Sequence, residues 1–258
     1  MFTVFLRFMY TLKKSLGQHF LKDESVCIRI LTELRKGEFE RLLEVGPGGG
    51  ALTKYLIGLE SVDFRAVEID HEKVQHLLAH YPSLAGRIIE ASILDISPPF
   101  REHFTLIGNF PYNISSQILF KVLEWRSMVD MVIGMFQKEV AVRIAAGPGN
   151  KDYGILSVLL QAYFKVQYLF DVDENCFTPP PKVKSGVIRL EHTGNPYGIM
   201  DHRKFTILVK AAFGQRRKQL RNPLKALFPH SELSDPIFTR RAEQLSVEEF
   251  VSLIPRMS

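Results

Sequence analysis

Apolar positions along this chain recur with two periods, and the alternation between them is the first structural signal. Short apolar runs bounded by turn residues predict strands at Arg41–Val45, Phe64–Ile69, Arg87–Ala91, Thr105–Gly108 and Met128–Phe136. Between these runs, three- and four-residue spacing predicts helices at Thr53–Leu59, His71–His80 and Ile114–Glu124, the last with Ile118, Leu119 and Val122 on one face. Strand–helix alternation implies an α/β fold, a parallel sheet covered by helices on both faces. After Asp152 the pattern changes. Leu156–Tyr163 reads as a helix, followed by strands at Lys165–Val172 and Gly186–Glu191. The loop between them carries Thr178-Pro179-Pro180-Pro181, and this ending predicts an antiparallel final pair.

Turn residues crowd Gly194-Asn195-Pro196-Tyr197-Gly198 and predict a boundary between residues 1–194 and a small helical unit, 195–258. In the latter, Asp201 is placed to cap a helix carrying Phe205, Leu208, Val209 and Ala212. A second helix is expected near Arg216–Leu227, burying Leu220 and Leu224, and a last one at Val247–Ile254.

Charge sharpens this division. Residues 1–194 contain 22 basic and 22 acidic side chains, so the net +5 lies wholly in the last quarter. Between His202 and Ser231 there are eight Lys or Arg and no acid. Such a block points to a polyanion, with a solvated basic face as the bland alternative. The 46% hydrophobic and 24% charged composition over 258 residues excludes disordered, collagen-like and membrane-span classes. Two cysteines, Cys27 and Cys176, build no disulfide framework, so a reducing cytoplasm is expected. The segment Met1–Lys14 is apolar but too short for a membrane span, and it lacks a small-residue cleavage site. Met9 is the expected translation start, which an intact Met1–Phe8 peptide in mass spectrometry would exclude.

Two segments carry chemistry. The turn Glu44-Val-Gly-Pro-Gly-Gly-Gly-Ala51 follows the first strand and opens the first helix. Gly46 and Gly48 permit a tight bend and close approach to a ligand, and Glu68 at the next strand end suits ribose hydroxyls. Gly46, Gly48 and Ala51 fit a dinucleotide pattern; Gly46, Gly48 and Gly50 fit the turn of S-adenosylmethionine-binding proteins equally well. Asn109-Phe110-Pro111-Tyr112 follows the fourth strand. Methylating an exocyclic amine requires its lone pair to leave ring conjugation and face the methyl donor. The Asn109 side-chain oxygen and the Phe110 carbonyl can accept the amine hydrogens, Pro111 stiffens the turn, and Tyr112 can stack on the base. A base treated in this way must be flipped from its stack. Phe177 is the candidate for its second face; its alternative role is a hydrophobic anchor of the loop.

Five segments in order resemble the small-subunit ribosomal RNA adenine dimethyltransferases: Lys14–Leu21, Glu44–Thr53, Asn109–Ser115, Phe177–Ser185 and Ala212–Asn222. The resemblance implies a class I S-adenosylmethionine-dependent methyltransferase with a Rossmann-like, mostly parallel seven-stranded sheet and a helical C-terminal domain. It also implies dimethylation at N6 of two adjacent adenosines near the 3′ end of small-subunit (16S) rRNA, on an assembling small ribosomal subunit. By the same resemblance Gln18, His19 and Leu21 close over the cofactor, Gly46 and Gly48 approach it, Glu68 holds its ribose, and Asn109 borders both cofactor and target. No metal and no membrane partner are implied, and a monomer is expected.

Two positions depart from the family. His19 stands where many members have Asn. Ser92 stands where members commonly place an Asp that accepts from the cofactor's adenine amine, with Asp95 nearby as a possible substitute. Weaker cofactor binding than in an Asp-bearing relative is expected. In the basic segment, Arg216, Arg217, Lys218 and Arg221 are the expected contacts to rRNA phosphates, with one or two of them pairing internally. Competing readings are a large-subunit rRNA adenine methyltransferase, a non-catalytic RNA-binding assembly factor, and an NAD-dependent dehydrogenase favoured only by the glycine pattern.

Overall fold

The computed structural model describes residues 19–258. In chain order its elements are β1 (Phe20–Leu21), α1 (Glu24–Leu34), β2 (Arg41–Val45), α2 (Thr53–Leu56), β3 (Asp63–Glu68), α3 (His71–His80), β4 (Ile88–Glu90), β5 (Phe104–Asn109), α4 (Ser115–Glu124), β6 (Val129–Gln137), α5 (Lys138–Ala145), α6 (Ile155–Gln161), β7 (Phe164–Val172), β8 (Phe177–Thr178), β9 (Ser185–His192), α7 (His202–Gly214) and α8 (Val247–Leu253). Seven strands form one sheet in the order β4-β3-β2-β5-β6-β9-β7. The first five run parallel; β9 is antiparallel to both β6 and β7. The expected class I methyltransferase sheet and its antiparallel ending are therefore present.

Alternation along each strand sorts the core into two layers. Leu43, Leu106, Val132 and Ile188 face a layer with Ile118 and Leu119 of α4 and Leu160 of α6. Their neighbours Leu42, Ile107, Ile133 and Val187 face another, with Ile30 and Leu34 of α1 and Leu77 of α3. The first layer continues without a break into Phe205 and Leu208 of α7 and Phe250 of α8. Helices α7 and α8 thus pack on the sheet through apolar contact.

The segment Arg216–Leu227 differs from the expected helix. It is a series of turns, with an isolated antiparallel bridge between Gln219 and Arg241. Pro223 lies inside it and lacks the N–H a helix needs. The backbone N–H groups of Leu220 and Arg221 are taken instead by the carbonyls of Arg240 (2.8 Å) and Phe238 (3.0 Å). Leu220 and Leu224 are buried as expected. Helices α1 and α5 and the small β1–β8 pair are additional to the elements expected from the sequence. For α1 a signal was present: Asp23 caps it by accepting from Ser25 N–H (2.9 Å), ahead of a Val26, Cys27, Ile30, Leu31, Leu34 stripe.

Candidate active site

The chain leaves β2 in one direction to form β3 and β4 and returns on its other side as β5. At such a switch of direction the strand ends diverge and leave a crevice. A cavity of about 430 Å³ opens there, lined by the glycine turn after β2, Glu68 at the end of β3, Ala91–Leu94 after β4, Asn109–Ile114 after β5, and the segment His19–Lys22.

Its first wall is the glycine turn. Gly46 and Gly48 have φ of +66° and +55°, a left-handed geometry that side chains resist. A Cβ on Gly48 would lie 3.0 Å from the Phe20 ring, so the segment before α1 packs directly on this turn. Glu68 fixes the turn from below: one carboxylate oxygen accepts from Gly48 N–H (3.1 Å), the other from Asp70 N–H (2.9 Å). Burial raises its pKa, opposed by these two donors. Glu44, also in this wall, is 2% exposed and accepts from the Thr53 hydroxyl at 2.7 Å. Burial pushes its carboxyl up to about 8, so it is largely uncharged at neutral pH. Ile69, 56% exposed at the rim, offers an apolar face. Neither Glu44 nor Ile69 was singled out as a binding residue from sequence, although both flank the strand ends that were.

The second wall is Asn109–Tyr112. The Asn109 side-chain amide donates to the His19 carbonyl at 2.9 Å. That commits the nitrogen and leaves Oδ1 as the acceptor for a ligand. Phe110 N–H donates to Met135 O (3.1 Å), while its ring is fully buried edge-on to Phe136, centroids 5.0 Å apart. Only its main chain can serve a ligand, as the sequence reading required. A Cβ on Gly134 would lie 2.6 Å from the Phe110 ring and 2.5 Å from that of Phe136, so this ring needs glycine beneath it. The Tyr112 hydroxyl bonds the Ser185 hydroxyl, and its ring lies 5.6 Å from that of His19, tilted by 31°. Burial raises the Tyr112 pKa.

Most of the expected site residues therefore converge. His19, Leu21, Gly46, Gly48, Glu68, Ser92, Asn109, Phe110, Pro111 and Tyr112 all line the cavity. Gln18 lies outside the described residues. Ser92 Oγ accepts from Leu94 N–H (3.2 Å), closing its own turn. Asp95 is exposed and absent from the cavity wall, so it does not substitute for the missing acid.

One expectation is corrected, and one arginine of the basic segment is paired internally, as expected for one or two of them. Phe177 does not line the cavity: it is fully buried with Leu21 and Val187, its strand paired to β1, and it anchors the loop. Arg216 is not a free phosphate contact. Its Nε donates to Glu243 (2.8 Å) and its Nη2 to the Lys151 carbonyl, tying two loops together. Arg217, Lys218 and Arg221 are exposed. Among the described residues no group of three or more metal-ligating side chains occurs, and no helix is long and apolar enough to cross a membrane.

Known proteins resemble this chain over nearly its whole length. A family described as "Ribosomal RNA adenine dimethylase" matches residues 9–257. The chain is 49% identical over 250 residues to "Ribosomal RNA small subunit methyltransferase A" of Cytophaga hutchinsonii, covering 95% of this chain and 97% of that protein. It is likewise 49% identical over 249 residues to the protein of that name in Flavobacterium johnsoniae, covering 95% of each. Among solved structures, a dimethyladenosine transferase from Plasmodium falciparum superposes with a TM-score of 0.76 at 22% identity, covering 91% of this chain and 96% of that one. The 23S rRNA methyltransferase ErmE gives 0.70 at 23%, covering 92% and 99%. These two share the fold.

Proposed function

The chain belongs to the ribosomal RNA adenine dimethylase family, and from that premise we propose that it transfers methyl groups from S-adenosylmethionine to the N6 amines of two adjacent adenosines near the 3′ end of small-subunit rRNA. The choice of the small subunit is supported by the names of its nearly full-length relatives. The single observation that carries the chemistry is the Asn109 amide. Its nitrogen is held by His19 O, which leaves its oxygen available as a hydrogen-bond acceptor for a ligand in the cavity beside the glycine turn.

The residues present fit the cofactor. An open cleft of about 430 Å³, a turn in which only Pro47 interrupts the glycines Gly46–Gly50 and a buried acid at the β3 end suit a nucleoside with a short polar tail. Gly46 and Gly48 would lie along the tail, Glu68 would accept from ribose hydroxyls, and Ile69 and Ser92 would border the adenine. When bound, the cofactor supplies an electrophilic methyl group.

The remaining work belongs to the chain. Asn109 Oδ1 and the Phe110 carbonyl accept the two amine hydrogens of a flipped adenine, which favours the pyramidal nitrogen with its lone pair free. Tyr112 stacks on the base and fixes its plane. The nitrogen becomes acidic once it bears the methyl group and releases its surplus proton to solvent, so catalysis rests on orientation and electrostatics rather than on a strong base. Residues 195–258 are proposed to hold the rRNA, with Arg217, Lys218 and Arg221 on phosphates and Arg216 shaping the loop that presents them.

The test is methyl transfer from labelled S-adenosylmethionine to undermethylated small subunits, with large subunits and Asn109→Ala as controls. Dimethyladenosine in small-subunit rRNA, lost in the variant, is expected. Label only in large-subunit rRNA would overturn the substrate assignment. Binding of RNA without label on either would overturn the enzymatic one.

A further inference from the structure

Tyr112 is fixed at three points, two of them by serines that the mechanism above does not use. Ser115 Oγ donates to the Tyr112 carbonyl at 3.1 Å, the His19 ring lies against the Tyr112 ring, and Ser185 Oγ bonds the Tyr112 hydroxyl. Ser185 is the anchor held within the sheet. It is fully buried and opens β9, where its backbone pairs with Gln137 of β6 on one side and Val172 of β7 on the other. It is also the first residue after the proline-rich loop, whose other end is pinned where Phe177 meets Leu21. His19 Nδ1 reaches the same loop, 2.9 Å from Pro179 O. Two segments 73 residues apart in sequence thus meet through one hydroxyl pair.

A ring that must stack on a flipped base needs a defined plane. Backbone restraint alone leaves the tyrosine free to turn about its side-chain bonds, whereas a hydrogen bond at the far end of the ring removes that freedom. We propose that Ser185 is a positioning residue for methyl transfer, holding the plane of Tyr112 through its hydroxyl so that the target adenine stacks in register with Asn109. This rests on the functional reading above and adds to it a residue that touches neither cofactor nor target.

The pair can be cut from either side without removing the stacking ring. In Ser185→Ala the tyrosine hydroxyl loses its partner; in Tyr112→Phe the serine hydroxyl does. Each single variant should lower kcat/KM on undermethylated small subunits by roughly 5- to 20-fold, the scale of one buried hydrogen bond. The double variant should be no worse than either single, because both remove the same interaction. Calorimetric affinity for S-adenosylmethionine should be unchanged in all three, and a general loss of fold would lower it. Losses that multiply in the double variant would overturn the proposal, as would a Ser185→Ala enzyme with parental kcat/KM. An unsubstituted chain that methylates no small subunit would overturn the functional reading as well, which keeps the two failures distinct.

Discussion

Glutamine at position 44 removes an ionisable group from the cavity wall while keeping its shape and its acceptor for Thr53. In the folded chain the Glu44 carboxyl is pushed from an ordinary 4.5 to about 8, chiefly by burial, with Glu68 adding repulsion. At about 1.36 kcal/mol per pKa unit, that gap amounts to about 5 kcal/mol. The sign follows from proton counts. The folded state binds this proton more tightly than the unfolded state, so stability falls as pH rises. The contribution is complete below about pH 4.5 and is lost as pH climbs to about 8. Glu44→Gln cannot ionise and escapes the loss. Urea unfolding of both proteins near pH 5, 7 and 9, at fixed ionic strength, isolates the effect, since groups not coupled to Glu44 titrate alike in both and cancel in the difference, leaving Glu44 and its interaction with Glu68. The two proteins should be nearly equal in stability near pH 5. The glutamine variant should lead by about 5 kcal/mol near pH 9, most of it already present at pH 7. Parallel stability curves across this range would refute the assignment of a buried, protonated acid at this position.

Three further outcomes are expected. Gly134→Ala drives a methyl group into the Phe110 and Phe136 rings at 2.6 and 2.5 Å; thermal unfolding should report a loss of about 1–3 kcal/mol, with methyl transfer falling further than cofactor binding because Phe110 anchors the turn proposed to orient the target base. Ser92→Asp should tighten S-adenosylmethionine binding in calorimetry by restoring a charged acceptor beside the adenine, and an unchanged affinity in a folded protein would discount the departure at Ser92. Neutralising Arg217 and Arg221 together should weaken rRNA binding and flatten its salt dependence by a log–log slope of about 2. Arg216→Ala should instead lower the melting temperature through loss of its Glu243 and Lys151 contacts, so equal salt effects from both variants would contradict the division of roles.

Local pattern carried most of the architecture. Strand and helix positions from Arg41 to Gln137 follow from which residues avoid water and at what spacing, because burial on one or both faces leaves a period in the sequence. The site was legible for a related reason. Gly46, Gly48, Glu68 and Asn109 sit at strand ends, and in a parallel sheet strand ends share one rim. Pro223 was visible too, inside the segment read as a helix, and its missing N–H argued against that reading.

What remained for the tertiary structure is the identity of partners. Phe177 and Tyr112 are both aromatic residues in motif segments, and nothing local distinguishes the one that packs under β1 from the one that lines the cavity. Arg216 and Arg217 are adjacent and chemically alike, yet the first faces Glu243 across 27 residues of chain and the second faces water. The elevated pKa of Glu44 arises because the fold closes over it, and the Tyr112–Ser185 bond exists only once β9 is paired between β6 and β7. Sequence periodicity records how strongly each position is driven from water, which is a property of single residues. Hydrogen bonds, ion pairs and burial of charge depend on which distant residue arrives opposite, and that is set only when the sheet closes its order and the loops are brought together.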